Sequence, residues 1–185
     1  RLYTGHTGDI LLDSTPIQDL KTETLNSLIT TVNQETTLFS ETIAFNINLG
    51  NPAITPDRIQ WAAKQVQLHG FIETLPNGYE TKLKKGEGSL SVGQAQLICL
   101  ARALADLSPI VLLDEATAAV DSLTESKIQH ALNTIFKEKT VIVVAHRLST
   151  IQHANMIIAL KEGEIIECGT HKELLQCRGF YANLY

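Results

Sequence analysis

Ile110-Val111-Leu112-Leu113-Asp114-Glu115 decides how the chain reads. Four apolar residues run into two adjacent carboxylates. A continuous apolar run predicts a strand buried on both faces, as inside a parallel sheet. Both acids then fall at its C-terminal end, where open α/β sheets place their ligands. An Asp there can hold Mg²⁺ through water, and a Glu beside it can take a proton from an attacking water. The plainer alternative is a strand that ends in a solvated acidic turn.

Outward from this stretch the chain alternates strands and helices. Upstream, Asp9-Ile10-Leu11-Leu12-Asp13 predicts a short strand after the turn-rich Gly5-His6-Thr7-Gly8. Leu28-Ile29-Thr30-Thr31-Val32 predicts a second, rich in β-branched residues, with Gln34 at its end. Between about 40 and 105 the patterns turn helical. Thr55-Pro56 supplies an N-cap and a Pro at the first helical position, and Ile59, Ala62, Ala63 and Val66 share one face. Pro76-Asn77-Gly78 is a turn and 82–89 a polar loop. A helix over about 93–105 carries a stripe of Leu97, Leu100, Ala101 and Leu104.

Downstream, Ser122-Leu123-Thr124-Glu125 has the capping-box pattern, and Ile128, Ala131, Leu132 and Ile135 form the buried face of the helix it opens. Thr140-Val141-Ile142-Val143-Val144-Ala145 predicts another strand buried on both faces, ending at His146. Two apolar stretches flanking Glu162-Gly163 predict a hairpin. Thr170-His171-Lys172-Glu173 is a second capping box, opening a final helix. This order suggests an α/β core interrupted by a helical insertion.

Composition narrows the function. The chain has 185 residues, 44% hydrophobic and 19% charged, enough for one domain with a real core. Its net charge of −5 argues against a nucleic-acid partner held by a basic field, while leaving room for small phosphorylated ligands. Cys99, Cys168 and Cys177 show no CxxC spacing and read as ordinary reduced thiols of a cytosolic setting. No apolar run approaches the ~18 residues of a membrane span, and no signal peptide is visible. A membrane role would therefore need another segment or another chain.

Leu90-Ser91-Val92-Gly93-Gln94 stands at a predicted helix N-terminus, which offers N–H groups and positive dipole to an anion. Ser91 adds a hydroxyl and Gly93 permits close approach; an ordinary Ser-capped helix start is the alternative. Here the sequence resembles the ATP-binding-cassette family. Leu90 to Gln94 resembles its signature motif, and 101–104 the continuation of that helix. Ile110 to Glu115 resembles the Walker B strand with its catalytic Glu, and Ala118-Ala119-Val120-Asp121 the D-loop. Ala145 to Ser149 resembles the switch-histidine loop, and Val32-Asn33-Gln34 the Q-loop. Lys85-Gly86-Glu87-Gly88 resembles the loop that touches the membrane domain in exporters. The motifs occur in family order over nearly the whole chain.

The resemblance implies a P-loop NTPase (RecA-like) α/β core with an inserted α-helical subdomain, the core at 1–35 and 106–185 and the insertion at 36–105. It implies ATP and Mg²⁺ as ligands. Glu115 would polarise the attacking water and His146 would touch the γ-phosphate. Asp114 would hold Mg²⁺ through water, and Gln34 would sense metal and γ-phosphate. Ser91, Val92, Gly93 and Gln94 would grip ATP bound to a second nucleotide-binding domain, and Asp121 would sit at that dimer interface. A transmembrane domain would be the other partner, at the cytoplasmic face of a membrane. Two departures stand out. No Gly is followed by Lys, so G-x-x-x-x-G-K-[ST] is absent. The chain thus reads as the C-terminal portion of a nucleotide-binding domain, truncated at its N-terminus and inactive alone. Val92 and Ala95 replace the usual Gly and Arg. The expected function is ATP hydrolysis driving export; a non-transport cassette ATPase or a catalytically silent interaction module are the alternatives.

Overall fold

A computed structural model describes residues 5–83, 90–114, 121–144 and 148–184. In chain order, β1 (Leu11–Leu12) and β2 (Thr15–Pro16) form a small hairpin, followed by α1 (Thr22–Leu28) and β3 (Ile29–Val32). Next come α2 (Ile43–Asn48), α3 (Pro56–Gln65), α4 (His69–Thr74) and α5 (Val92–Ala105). Then follow β4 (Ile110–Asp114), α6 (Ser122–Glu138), β5 (Thr140–Val144), α7 (Leu148–Ile151), β6 (Ile157–Lys161), β7 (Glu164–Gly169), α8 (His171–Cys177) and α9 (Phe180–Leu184).

The apolar run centred on 110–113 becomes the middle strand of a parallel sheet ordered β3-β4-β5. Register places Val32 opposite Leu113 and Asp114 opposite Val144. Parallel neighbours need long crossovers; α2 to α5 supply the first and α6 the second. The mixed α/β class with a parallel sheet is as expected.

Both strands were expected to be buried on both faces, and the structure corrects this. Val111 and Leu113 are buried, whereas Ile142 is 60% and Val144 58% exposed. β5 therefore alternates, packing Val141 and Val143 onto the core and turning its other face outward. The helix stripe on α5 is also too narrow. Ile98, Cys99, Ala103 and Ala105 are buried along with Leu97, Leu100, Ala101 and Leu104. A helix apolar nearly all round belongs inside, and α5 touches α2, α3, α6 and β3. One contiguous core joins Ile43, Ile47 and Ile59 of α2 and α3 to α5, β4 and Ile128, Leu132 and Ile135 of α6.

Local signals set the ends. Thr55 accepts from Arg58 N at 3.3 Å and Pro56 opens α3. The Thr170 capping box forms as expected, Glu173 Oε2 accepting from Thr170 N at 2.8 Å. The expected box at Ser122 does not. Asp121 is the N-cap of α6, one residue earlier, because its carboxylate accepts from Thr124 N at 3.0 Å. The strand expected over 9–13 shrinks to Leu11–Leu12, and Leu28 closes α1 rather than opening β3. The β6–β7 hairpin turns through Glu162 and Gly163, both at positive φ.

The single final helix expected after Thr170 is two. Arg178 adopts a left-handed conformation, and the Glu167 carboxylate of β7 accepts from Phe180 N at 2.7 Å and Tyr181 N at 2.8 Å. A Cβ on Gly179 would collide with that carboxylate. Ile157, Leu174 and Tyr181 make a second, smaller core there.

Leu132 of α6 is fully buried in the main core. Leu132→Ala is expected to cost about 2–5 kcal/mol through lost transfer energy and a cavity. Leu123 is 68% exposed two residues after the Asp121 cap, and Leu123→Ala is expected to stay within about 0.5 kcal/mol of the parent. Denaturant midpoints with unchanged m-values measure both.

Candidate active site

The C-terminal ends of the three parallel strands enclose an open cavity of about 350 Å³. Thr31 and Val32 of β3 and Asn33 just after it line the cavity, with Leu112, Leu113 and Asp114 from β4 and Ile142 and Val144 from β5. Its walls are mainly apolar and Asp114 is its only carboxylate among the described residues. The parallel register explains this. The main chain places Asp114 one step beyond the Val32–Leu113 pair, level with Val144 of β5. An acid so placed meets ligand at the carboxyl edge of the sheet. Thr31 and Asn33 add hydroxyl and amide oxygens. Thr31 was not singled out from the sequence, where it looks like an ordinary strand residue, and Asn33 was quoted only within the Q-loop resemblance, with no role of its own.

Among the described residues, the other expected ones are not gathered around Asp114. Gln34 lies two residues past β3 and is exposed. Ser91 caps α5 in a reciprocal box: its Oγ accepts from Gln94 N at 3.1 Å, and Gln94 Oε1 accepts from Ser91 N at 2.9 Å. Val92 is 59% exposed at the helix start, and Gly93 is buried. None of these five lines the cavity. A hydroxyl that accepts one bond keeps its proton for another partner, so the cap leaves Ser91 able to donate outward. Glu115 and His146 lie outside the described residues, as do 86–88, 118–120, Ala145 and Arg147. No three His, Cys, Asp or Glu side chains cluster in metal-binding fashion among the described residues.

Asp121 has a structural task on its own helix. Its two oxygens accept from Thr124 N and, at 2.7 Å, from Thr124 Oγ1. The backbone N–H and the hydroxyl of Thr124 hold the Asp121 carboxyl below its ordinary value.

A parallel sheet with an acid at the carboxyl end of its middle strand, flanked by helices, is the plan of an α/β ligand-binding domain. Residues 1–118 match the family described as ABC transporter. Over all 185 residues the chain is 48% identical to an ATP-dependent lipid A-core flippase of Saccharophagus degradans, covering 32% of that protein. It is 44% identical to a putative multidrug export ATP-binding/permease protein of Staphylococcus aureus, again covering 32% of it. Among solved structures, a bacterial Atm1-family ABC exporter with ATP bound superposes with TM-score 0.87 at 36% identity, over the whole of this chain and 32% of that one. The chain belongs to the ABC transporter family. It spans about a third of the length of these relatives and bears out the expected likeness to exporters. Among the described residues no helix is long and apolar enough to cross a membrane.

The lowered folded-state pKa of Asp121 has a defined sign. Its stabilising effect is complete above the unfolded value near ~3.9 and is lost as pH falls through the folded value. Asp121→Asn keeps an acceptor for Thr124 N but does not titrate. Melting temperature followed down to about pH 2 should therefore fall less steeply below about pH 4 in the variant than in the parent. Superimposable acid limbs would mean that the carboxylate does not stabilise the fold.

Proposed function

We propose that the chain is the ATP-hydrolysing portion of an exporter, acting at the cytoplasmic face of a membrane. The observation that carries this is Asp114 at the carboxyl end of the middle strand, within a chain like exporters along its full length. Residues 1–35 and 106–185 serve as the α/β core and 36–105 as a helical subdomain. A second nucleotide-binding domain and a transmembrane domain are the partners.

The oxygen donors at the cavity fit Mg²⁺. Asp114, Thr31 and Asn33 offer hard ligands on one side and open solvent on the other, as suits an ion that keeps most of its waters. Asp114 would hold the ion through water, with Gln34 reaching it from beyond β3. The ion, when bound with ATP, neutralises charge on the phosphates. Glu115 accepts a proton from water as the water oxygen bonds to the γ-phosphorus. The bond from that phosphorus to the β,γ-bridging oxygen breaks, and ADP leaves with the bond's electron pair. His146 steadies the γ-phosphate. Ser91, Val92, Gly93 and Gln94 grip the nucleotide of the partner domain, and Asp121 meets that domain beside them.

In the full-length transporter Glu115→Gln keeps size and hydrogen bonding but cannot take the proton. ATP turnover is expected to fall by about 10²–10⁴ while nucleotide stays bound. Near-parental turnover would exclude Glu115 as the base. The 185 residues alone contain no Gly-Lys pair, so no phosphate-loop lysine offsets the negative charge of Asp114 and Glu115 near an anion. Calorimetry with Mg-ATP on this chain is expected to show no saturable binding at micromolar concentration. Micromolar affinity would mean that another element cradles the phosphates.

A further inference from the structure

The stretch following Gln34 is fastened to α5 by side chains far away in sequence. Arg102 Nε donates to Asn46 O at 2.8 Å, and its Nη2 donates to Thr37 O at 3.1 Å. One turn back on the same helix, Cys99 lines the same small cavity as Thr37 and Arg102. Thr37 is thus held to α5 through its carbonyl. Asn46 is wholly buried and folds the next residues. Its Oδ1 accepts from Phe39 N at 2.8 Å, and its Nδ2 donates to Phe39 O and Thr42 O, both at 3.0 Å. A small cavity of about 40 Å³ marks the joint, walled by Thr31 and Asn33 at the end of β3, by Glu35 and Thr37, and by Cys99 and Arg102.

We propose that Arg102, braced by Asn46, is a positioning residue that locks the stretch after Gln34 to α5, so that Gln34 and the Ser91–Gln94 cap move together. The proposal rests on the reading above, and names the joint through which the two sites share a position. The guanidinium suits this task because its planar fork can hold two carbonyls in fixed directions. Arg102 lies eleven residues from Ser91, about 16 Å along a rigid helix at 1.5 Å per residue. A displacement at the carboxyl end of β3 therefore reaches the start of α5 as a shift of the whole helix. Arg102 touches no nucleotide in this scheme; it acts through Gln34 and the cap.

The joint carries its own reporter. Cys99 is 8% exposed, whereas Cys168 and Cys177 are exposed. Full-length protein in which Cys99 is the sole cysteine is labelled with a small maleimide, with and without Mg-ATP turnover. Arg102→Lys is measured beside it. Lys keeps a positive charge near the thiol, so the labelling rate reads access rather than thiol chemistry. In the variant, labelling is expected to be about tenfold faster as the joint opens locally. kcat should fall about tenfold or more through misplacement, with KM for ATP within about twofold because binding contacts are intact. Faster labelling with unchanged kcat, or a loss of kcat with no change in labelling, overturns the proposal. Wild-type labelling supplies an independent arm should Arg102→Lys fail to fold. A locked joint protects Cys99 equally at rest and during turnover, and about tenfold acceleration by Mg-ATP overturns it. Wild-type protein that does not hydrolyse ATP would defeat the functional reading instead, and the labelling contrast would still decide the joint.

Discussion

The helix α5 is buried almost all round, and its last carbonyls have no water to turn to. A helix end leaves several carbonyl groups without partners inside the helix, and buried ones must find donors. Here two cations reach across the chain to supply them or their neighbours. Arg58 Nη2 donates to Leu104 O at 2.8 Å while its guanidinium lies 3.9 Å from the centre of the Trp61 ring. Lys139 Nζ donates to Asp106 O and Ser108 O, both at 2.7 Å, and burial pushes its ammonium below the usual value. A third cation, Arg102 of α5 itself, donates outward to Asn46 O and Thr37 O. Each bond pairs a charge with main chain, so α5 is fixed to α3, to the turn before β4 and to the stretch after β3 at once. The position of β4, and with it Asp114, follows from that anchoring.

The same helix shows how cap and site overlap. Ser91 and Gln94 satisfy each other at the start of α5, and Asp121 satisfies Thr124 at the start of α6. In both cases a residue with a proposed role toward nucleotide or partner also has a complete local task. Substituting either therefore changes helix stability along with any effect on a bound phosphate. Only variants that keep the cap acceptor can separate the two.

Much of the fold was legible because its signals are local. The apolar runs at 110–113 and 140–144 each form a strand, though not one buried on both faces, and the Thr170 box and the 128–135 face each fall within one element as expected. Other features carry no such signal. α1 follows Lys21, which makes no side-chain cap, and buries none of its residues, so neither a cap nor a stripe announces it. The open face of β5 depends on what packs against the sheet, which strand composition cannot state. The split between α8 and α9 depends on Glu167 reaching from β7. At the site, Asp114 was legible from an acid ending an apolar strand. Thr31 and Asn33 emerge only once β3 and β4 are in register. Asn46 and Arg102 bond across more than fifty positions, beyond the reach of any motif.

The Glu167 carboxylate, seated on two N–H groups of α9 and against Gly179, closes the small core of Ile157, Leu174 and Tyr181. His171 Nδ1 and Tyr181 Oη add a 2.8 Å bond within the same group. That cluster is distinct from the large core that unites α2, α3, α5, α6 and the parallel sheet. Among the described residues the buried side chains therefore form two clusters of very unequal size. Amide protons of β6 to α9 would exchange by openings that leave Leu97 and Leu113 packed, whereas those of α5 and β4 would await global unfolding.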